Sequence, residues 1–195
     1  MKSQQGKAKA KKPRPPPSQS LPLYSPLRRT SSIRILVVQP GAPQDQIVCC
    51  LRVVGNIDRR RSAASGTTAY EALSYVWGSQ EDRVCIVCNG HAVDVTRNLA
   101  HALQRVRRTD EARCIWADAV CIDQGNVTER GHQVRLMGRI YGRAERVLIW
   151  AGRDEGHDAR SAFALMEKIV YGGADGDSGS QVSLGLSKLG FLAAH

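Results

Sequence analysis

No apolar run in this chain approaches the roughly 18 residues that a membrane-crossing helix requires. The one early hydrophobic stretch, "IRILVV", is short and carries Arg34. Neither a secretory leader nor a membrane span is expected, and an intracellular, reducing setting follows. In that setting six cysteines read as free thiols rather than a disulfide framework. Glycine-rich phosphate cradles are lacking too, since neither GxGxxG nor a P-loop pattern occurs. Acid is absent over a long stretch: nine lysines and arginines precede the first carboxylate, Asp45, and the rest of the chain is close to neutral. The net charge of +10 therefore belongs to a tail, and no specific nucleic-acid partner is implied for the body.

That tail, "KAKAKKPRPPPSQSLPLYSP", is too poor in apolar residues to offset the entropy of ordering and reads as disordered. Its "KKPRPPP" run suits a nuclear address, an RNA or anionic-lipid contact, or a polyproline ligand; the plainer reading is a solvated tail. With 195 residues and 42% hydrophobic content, one ordinary core is expected. The division is a tail over 1–31, a folded domain over 32–172 and a Gly/Ser-rich segment over 173–195.

Within the domain, "SIRILVVQPG", "QIVCCLRVV" and "YEALSYVWG" read as strands. "RVCIVC-NG-HAVDV" is a hairpin, because Asn89-Gly90 tolerates the two positive φ angles of a type I′ turn. "TRNLAHALQRVRR" is a helix capped by Thr96, with Leu99, Ala102, Leu103 and Val106 on its inner stripe. "RCIWADAVCI" reads as one near-continuous buried strand. The following helix starts at Asn126, spaced from Glu129 as in a capping box, with Val134, Met137, Ile140 and Tyr141 on one side. "RVLIWAG" is a further strand and "DARSAFALMEKIVYGG" a last helix. Strands separated by helices must cross over, so the fold expected is α/β, three-layered, with a mixed and mostly parallel sheet, to which the hairpin and the N-terminal strands add antiparallel partners at one edge or in an appended sheet.

In order and spacing, "YEALSYVWG" at 70–78, "VTRNLAHAL" at 95–103, "IWADAVCIDQ" at 115–124 and "ERGHQVRLMGRIYGRAERVLIWAG" at 129–152 resemble the fungal heterokaryon incompatibility (HET) domain. The likeness covers about 33–152. Asp123 stands where the family usually has Asn, and "WADAV" varies a pattern commonly written WIDAI. Many relatives also continue into long C-terminal regions. The resemblance implies a role in non-self recognition leading to programmed cell death. It further implies a distant likeness to TIR domains, flavodoxin-like signalling modules that self-associate and in some cases cleave NAD. Its motifs mark Ser74, Tyr75, Trp77, Gly78, Asp118, Cys121, Gln124, Glu129, Arg130 and Gln133 as the family pocket.

Ligands of open α/β sheets sit beyond the carboxyl ends of parallel strands, which is where the segment after Trp116 falls. If the domain cleaved NAD, Glu129 or Asp118 would stabilise an oxocarbenium-like transition state, with Trp77 as a stacking surface. Structural roles account for the same residues. Glu129 could return to the Asn126 N–H, Asp118 could hold loop amides, and Arg130 could pair with Asp118. A carboxylate in a helix's first turn also competes with phosphate for the positive dipole end. Cys85 and Cys88 form a CxxC with Cys114 and Cys121 downstream, but residues three apart on a strand point to opposite faces, which disfavours zinc. Nothing in the sequence brings Cys121 and His132 together as a nucleophile pair.

The leading expectation is a non-catalytic module acting by protein–protein contact, through self-association or with other HET- or NLR-type proteins, without cofactor. An NAD glycohydrolase and a regulatory fragment of longer relatives are the alternatives. A cytoplasmic location is expected, with nuclear entry conceivable through the basic tail.

Overall fold

Six consecutive residues, Ile33–Val38, form strand β1, and all six are buried, Arg34 included. Burial of both faces of a strand requires neighbours on each side and cover above and below. The antiparallel partner β2, Val48–Val54, sets Leu51 opposite Leu36. On the other flank β6, Arg113–Trp116, sets Ile115 opposite Leu36, again antiparallel. The computed structural model describes residues 22–58, 69–153 and 189–191, and within them the sheet has eight strands.

Beyond β6 lie three strands in parallel register: β3 (Glu71–Tyr75), β7 (Val147–Trp150) and β8 (Leu189–Phe191). Beyond β2 lies β4 (Arg83–Cys88), parallel to β2 and hairpinned to β5 (His91–Thr96). The order across the sheet is β5-β4-β2-β1-β6-β3-β7-β8. At the hairpin tip Asn89 and Gly90 take φ of 52° and 78°, the left-handed pair that the Asn-Gly dipeptide calls for.

The α/β class and the mixed sheet agree with the sequence reading, but parallel pairing does not dominate. The antiparallel ladders β1–β2 and β4–β5 each join six residue pairs, whereas the longest parallel ladder, β3–β7, joins four. The reason is β1, which enters between β2 and β6 and runs against both.

Three helices are described. In α1, Arg97–Val106, Thr96 Oγ1 accepts from the Leu99 N–H, and Leu99, Ala102, Leu103 and Val106 are all buried, as the stripe predicts. The expected strand over 113–122 stops at Trp116. The Val120, Cys121 and Ile122 amides bond back to the Ala117 and Asp118 carbonyls, making the one-turn helix α2, Asp118–Cys121. Such a turn buries Val120 and Cys121 as well as a strand would, so apolar composition alone could not separate the two.

Helix α3, Val127–Arg143, buries Gln133, Leu136 and Ile140 and leaves Val134 exposed, a rotation from the expected stripe. The Gln133 amide sets the inner face by donating to the Ser32 carbonyl at 3.0 Å. Met137 and Tyr141 still pack against the core.

The folded region also begins before Ser32. Leu23 packs on the core, the Asn89 side chain donates to its carbonyl, and the Tyr24 ring lies 5.1 Å from the Arg34 guanidinium carbon. The helix expected over 158–173 lies outside the described residues. No helix among the described residues is long and apolar enough to cross a membrane.

Candidate functional site

Strands β3, β6 and β7 run parallel and deliver their carboxyl ends to one rim, so polar residues of distant sequence meet there. At the end of β6, Asp118 opens α2, and each of its carboxylate oxygens has a donor. Oδ1 accepts from the Ala119 N–H at 2.8 Å, and Oδ2 accepts from Trp77 Nε1 at 3.0 Å. Trp77 stays 40% exposed, and this bond ties the loop after β3 to the loop after β6. Tyr75 is held well above the usual phenol range, first by burial and then by the charge of Asp118. The Tyr141 hydroxyl, raised to about 12 by the same two causes, lies beside Ser74 and donates to the Leu73 carbonyl.

Glu129 follows a different course from the capping-box expectation. Asn126 caps α3 by accepting from the Glu129 N–H at 3.0 Å, but the Glu129 carboxylate does not return to Asn126. It takes Arg34 Nη1 and Nη2 at 2.5 and 3.0 Å, together with the Asp123 N–H at 3.0 Å. Arg34 also donates to the Ser25 and Cys121 carbonyls. Burial opposes the charge on Glu129, yet the Arg34 bonds and the Asp123 amide overrule it, and the carboxyl is held below its usual range. The charge that α3's first turn and the family motif supply is thus neutralised by a buried arginine. Sequence reading passed over Arg34, although a lone cation inside an otherwise apolar strand was a signal that a partner must exist.

The remaining motif residues also serve the backbone. Gln124 Nε2 donates to the Asp118 carbonyl at 2.9 Å, and Arg130 Nη1 donates to the Gln124 carbonyl at 2.9 Å. Arg130 therefore does not make the expected pair with Asp118. Asp123 Oδ1 accepts from the Gly125 N–H, a role that an asparagine oxygen would fill equally well. The Cys121 thiol is buried, pushed up to about 12 by that burial, and faces the backbone of Ile115 and Ala117. His132 instead pairs through Nε2 with the Thr30 carbonyl, so the pair with Cys121 is not formed. Cys85 is exposed and Cys88 buried, as opposite strand faces require. Among the described residues no group of three or more His, Cys, Asp or Glu could hold a metal ion.

A second residue that sequence reading did not single out is Asn98, in the first turn of α1. Its Nδ2 donates to the Val76 carbonyl at 2.5 Å, and its Oδ1 accepts from Trp150 Nε1 at 2.8 Å. One amide thereby joins the ends of β3 and β7. Gly78 and Gly152, just past those ends, have φ of 77° and 116°. A Cβ on Gly78 would stand 3.2 Å from Asn98 Cβ, and one on Gly152 would stand 3.9 Å from Asn98 Oδ1.

Fold and rim together define an α/β domain whose recognisable polar residues brace loops at one edge of a mixed sheet. The family model described as heterokaryon incompatibility protein (HET) matches residues 70–178, and the chain belongs to that family. Heterokaryon incompatibility protein 6, OR allele, of Neurospora crassa is 32% identical over 152 residues, covering 71% of this chain and 21% of the relative. The chain thus spans about a fifth of that relative's length. No solved structure matches it.

Proposed function

We propose that the chain is a non-catalytic module of heterokaryon incompatibility, acting in non-self recognition through protein–protein contact and self-association, with programmed cell death as the downstream outcome. Family membership and the name of the Neurospora relative support the biological setting. The observation that carries the non-catalytic reading is the occupancy of the two candidate carboxylates. Glu129 is spent on Arg34 and the Asp123 amide, and both Asp118 oxygens already accept hydrogen bonds. A carboxylate that stabilises a developing cation must be aimed at the reacting atom; here Glu129 is aimed at Arg34 and Asp118 at the Trp77 indole and the Ala119 amide, so each acts as a bracket between loops. The setting proposed is cytoplasmic, with the basic tail as a route to the nucleus, and no cofactor is required.

The test is incubation of the full chain with NAD at concentrations that permit assembly, with nicotinamide followed by chromatography and association by sedimentation equilibrium. The expected result is intact NAD and a concentration-dependent rise in mass. Nicotinamide release abolished by Asp118→Asn, with the fold retained, would replace this reading by a TIR-like glycohydrolase. A chain that stays monomeric throughout would remove self-association from it.

A further inference from the structure

On the α1 side of the same rim lies a second concavity, which shares only Asn98 with the bracing already described. Ser79, Asp82, Arg97, Asn98, His101 and Arg153 line a cleft of about 230 Å³. Asp82 is the one carboxylate among them, and Arg97 Nε holds both its oxygens, at 2.8 and 2.9 Å. Among the described lining residues, no second acid stands opposite His101 and Arg153. The imidazole registers this crowding: its proton affinity is lowered by burial first, then by Arg153 and Arg97, against an opposing pull from Asp82.

Three features make this a formed site rather than a chance gathering of cations. It lies beyond the carboxyl ends of the parallel strands β3 and β7, the position at which open α/β sheets take ligands. The first turn of the ten-residue helix α1 contributes Arg97 and Asn98, adding the positive end of the helix dipole. The backbone leaving both strands is bare at Gly78 and Gly152 and backs onto Asn98, which is itself pinned at both ends of its amide. Backbone therefore approaches the cleft residue Asn98 closely from the ends of both strands.

We infer that this cleft binds a phosphate or diphosphate group, with Arg153 and His101 as its direct contacts and the start of α1 beside them. The volume is below the roughly 300–1,000 Å³ of sites that enclose drug-sized ligands, so the group bound is a phosphate moiety, the rest of its bearer lying outside. A soluble phosphorylated compound and a phospholipid headgroup share this chemistry. The site stands or falls independently of whether the module self-associates.

The experiment uses the full ¹⁵N-labelled chain titrated with inorganic pyrophosphate and, separately, with vesicles containing phosphatidylinositol 4-phosphate. The expected result is amide shifts at Ser79, Asn98 and His101, and at least fivefold weaker binding in Arg153→Gln. His101→Gln should weaken it less. Arg135→Gln, which removes an exposed cation of α3, should change it less than twofold and so measures general attraction to a basic chain. Dependence on Arg153 with free pyrophosphate assigns a soluble ligand; dependence on vesicles alone assigns a headgroup. Equal weakening in Arg153→Gln and Arg135→Gln, or shifts confined to residues before Asp45, would overturn the proposal.

Discussion

Arg34 and Glu129, 95 positions apart in sequence, form a two-pronged ion pair, with only 2% and 12% of their side chains exposed. The pair fixes the central strand of the sheet to the start of α3 and, through the Asp123 amide, to the loop between α2 and α3. Removing one partner strands the other charge in the interior, at a cost of roughly 3–5 kcal/mol. Arg34→Met should therefore lose about that much stability in urea unfolding. The double variant Arg34→Met/Glu129→Leu should recover a large part of it, since neither charge then remains buried alone.

The same pair sets a pH dependence. The Glu129 carboxyl is held below its ordinary value of 4.5 in the folded chain, so its contribution is fully present above the unfolded value. It is lost as pH falls below about 4.5 through the depressed folded value. Between pH 5 and 3 the native chain should lose more stability than Glu129→Gln does. Unfolding midpoints measured across that range check the difference.

Asn98 is expected to matter as much to stability as a core residue. Asn98→Ala leaves the N–H of the buried Trp150 indole without its acceptor and frees the Val76 carbonyl. The loss should be about 1–3 kcal/mol, with a change in tryptophan emission. Asn98→Asp keeps the acceptor for Trp150 and should fall between the two.

Glycines divide by position. Gly78→Ala and Gly152→Ala place a side chain at positive φ, and each should destabilise by about 1–2 kcal/mol. Gly131 and Gly138 lie within α3, where an added Cβ meets nothing within 4 Å. Gly131→Ala and Gly138→Ala should instead raise stability by about 0.5–1 kcal/mol each. Thermal unfolding of the four variants measures both signs.

Thiol reactivity should follow burial. Cys85 is exposed, whereas Cys49, Cys88 and Cys121 are buried. A maleimide should modify Cys85 first in the native chain, and it should leave Cys121 untouched until denaturant is added, because burial keeps that thiol protonated. Peptide mapping of a time course gives the order.

Features encoded within a few residues were legible in the sequence. Asn89-Gly90 announces its hairpin because the turn needs what only such residues adopt cheaply, and Thr96 and Asn126 announce helix starts by an oxygen within reach of the next turn. What escaped was non-local. Nothing near "IRILVV" says that it inserts beside residues 113–116, so the antiparallel N-terminal strands were expected at an edge and not in the middle of the sheet. The inner face of α3 follows Gln133, whose partner Ser32 lies 101 positions away, and hydrophobicity pointed instead to Val134. At the rim the motif residues were found but their roles were not, because Arg34 and Asn98, which consume or brace them, come from outside the "CIDQ" loop.

The position of β1 has a consequence for where this chain's folding unit begins. The family model starts at residue 70, yet residues 33–38 fill the middle of the sheet and pair with β6. A chain trimmed to that starting point would open the hydrogen-bonding edge of β6, an invitation to strand-on-strand aggregation, and would leave Glu129 facing no cation. The smallest autonomous piece of this chain accordingly reaches further toward the amino end than residue 70.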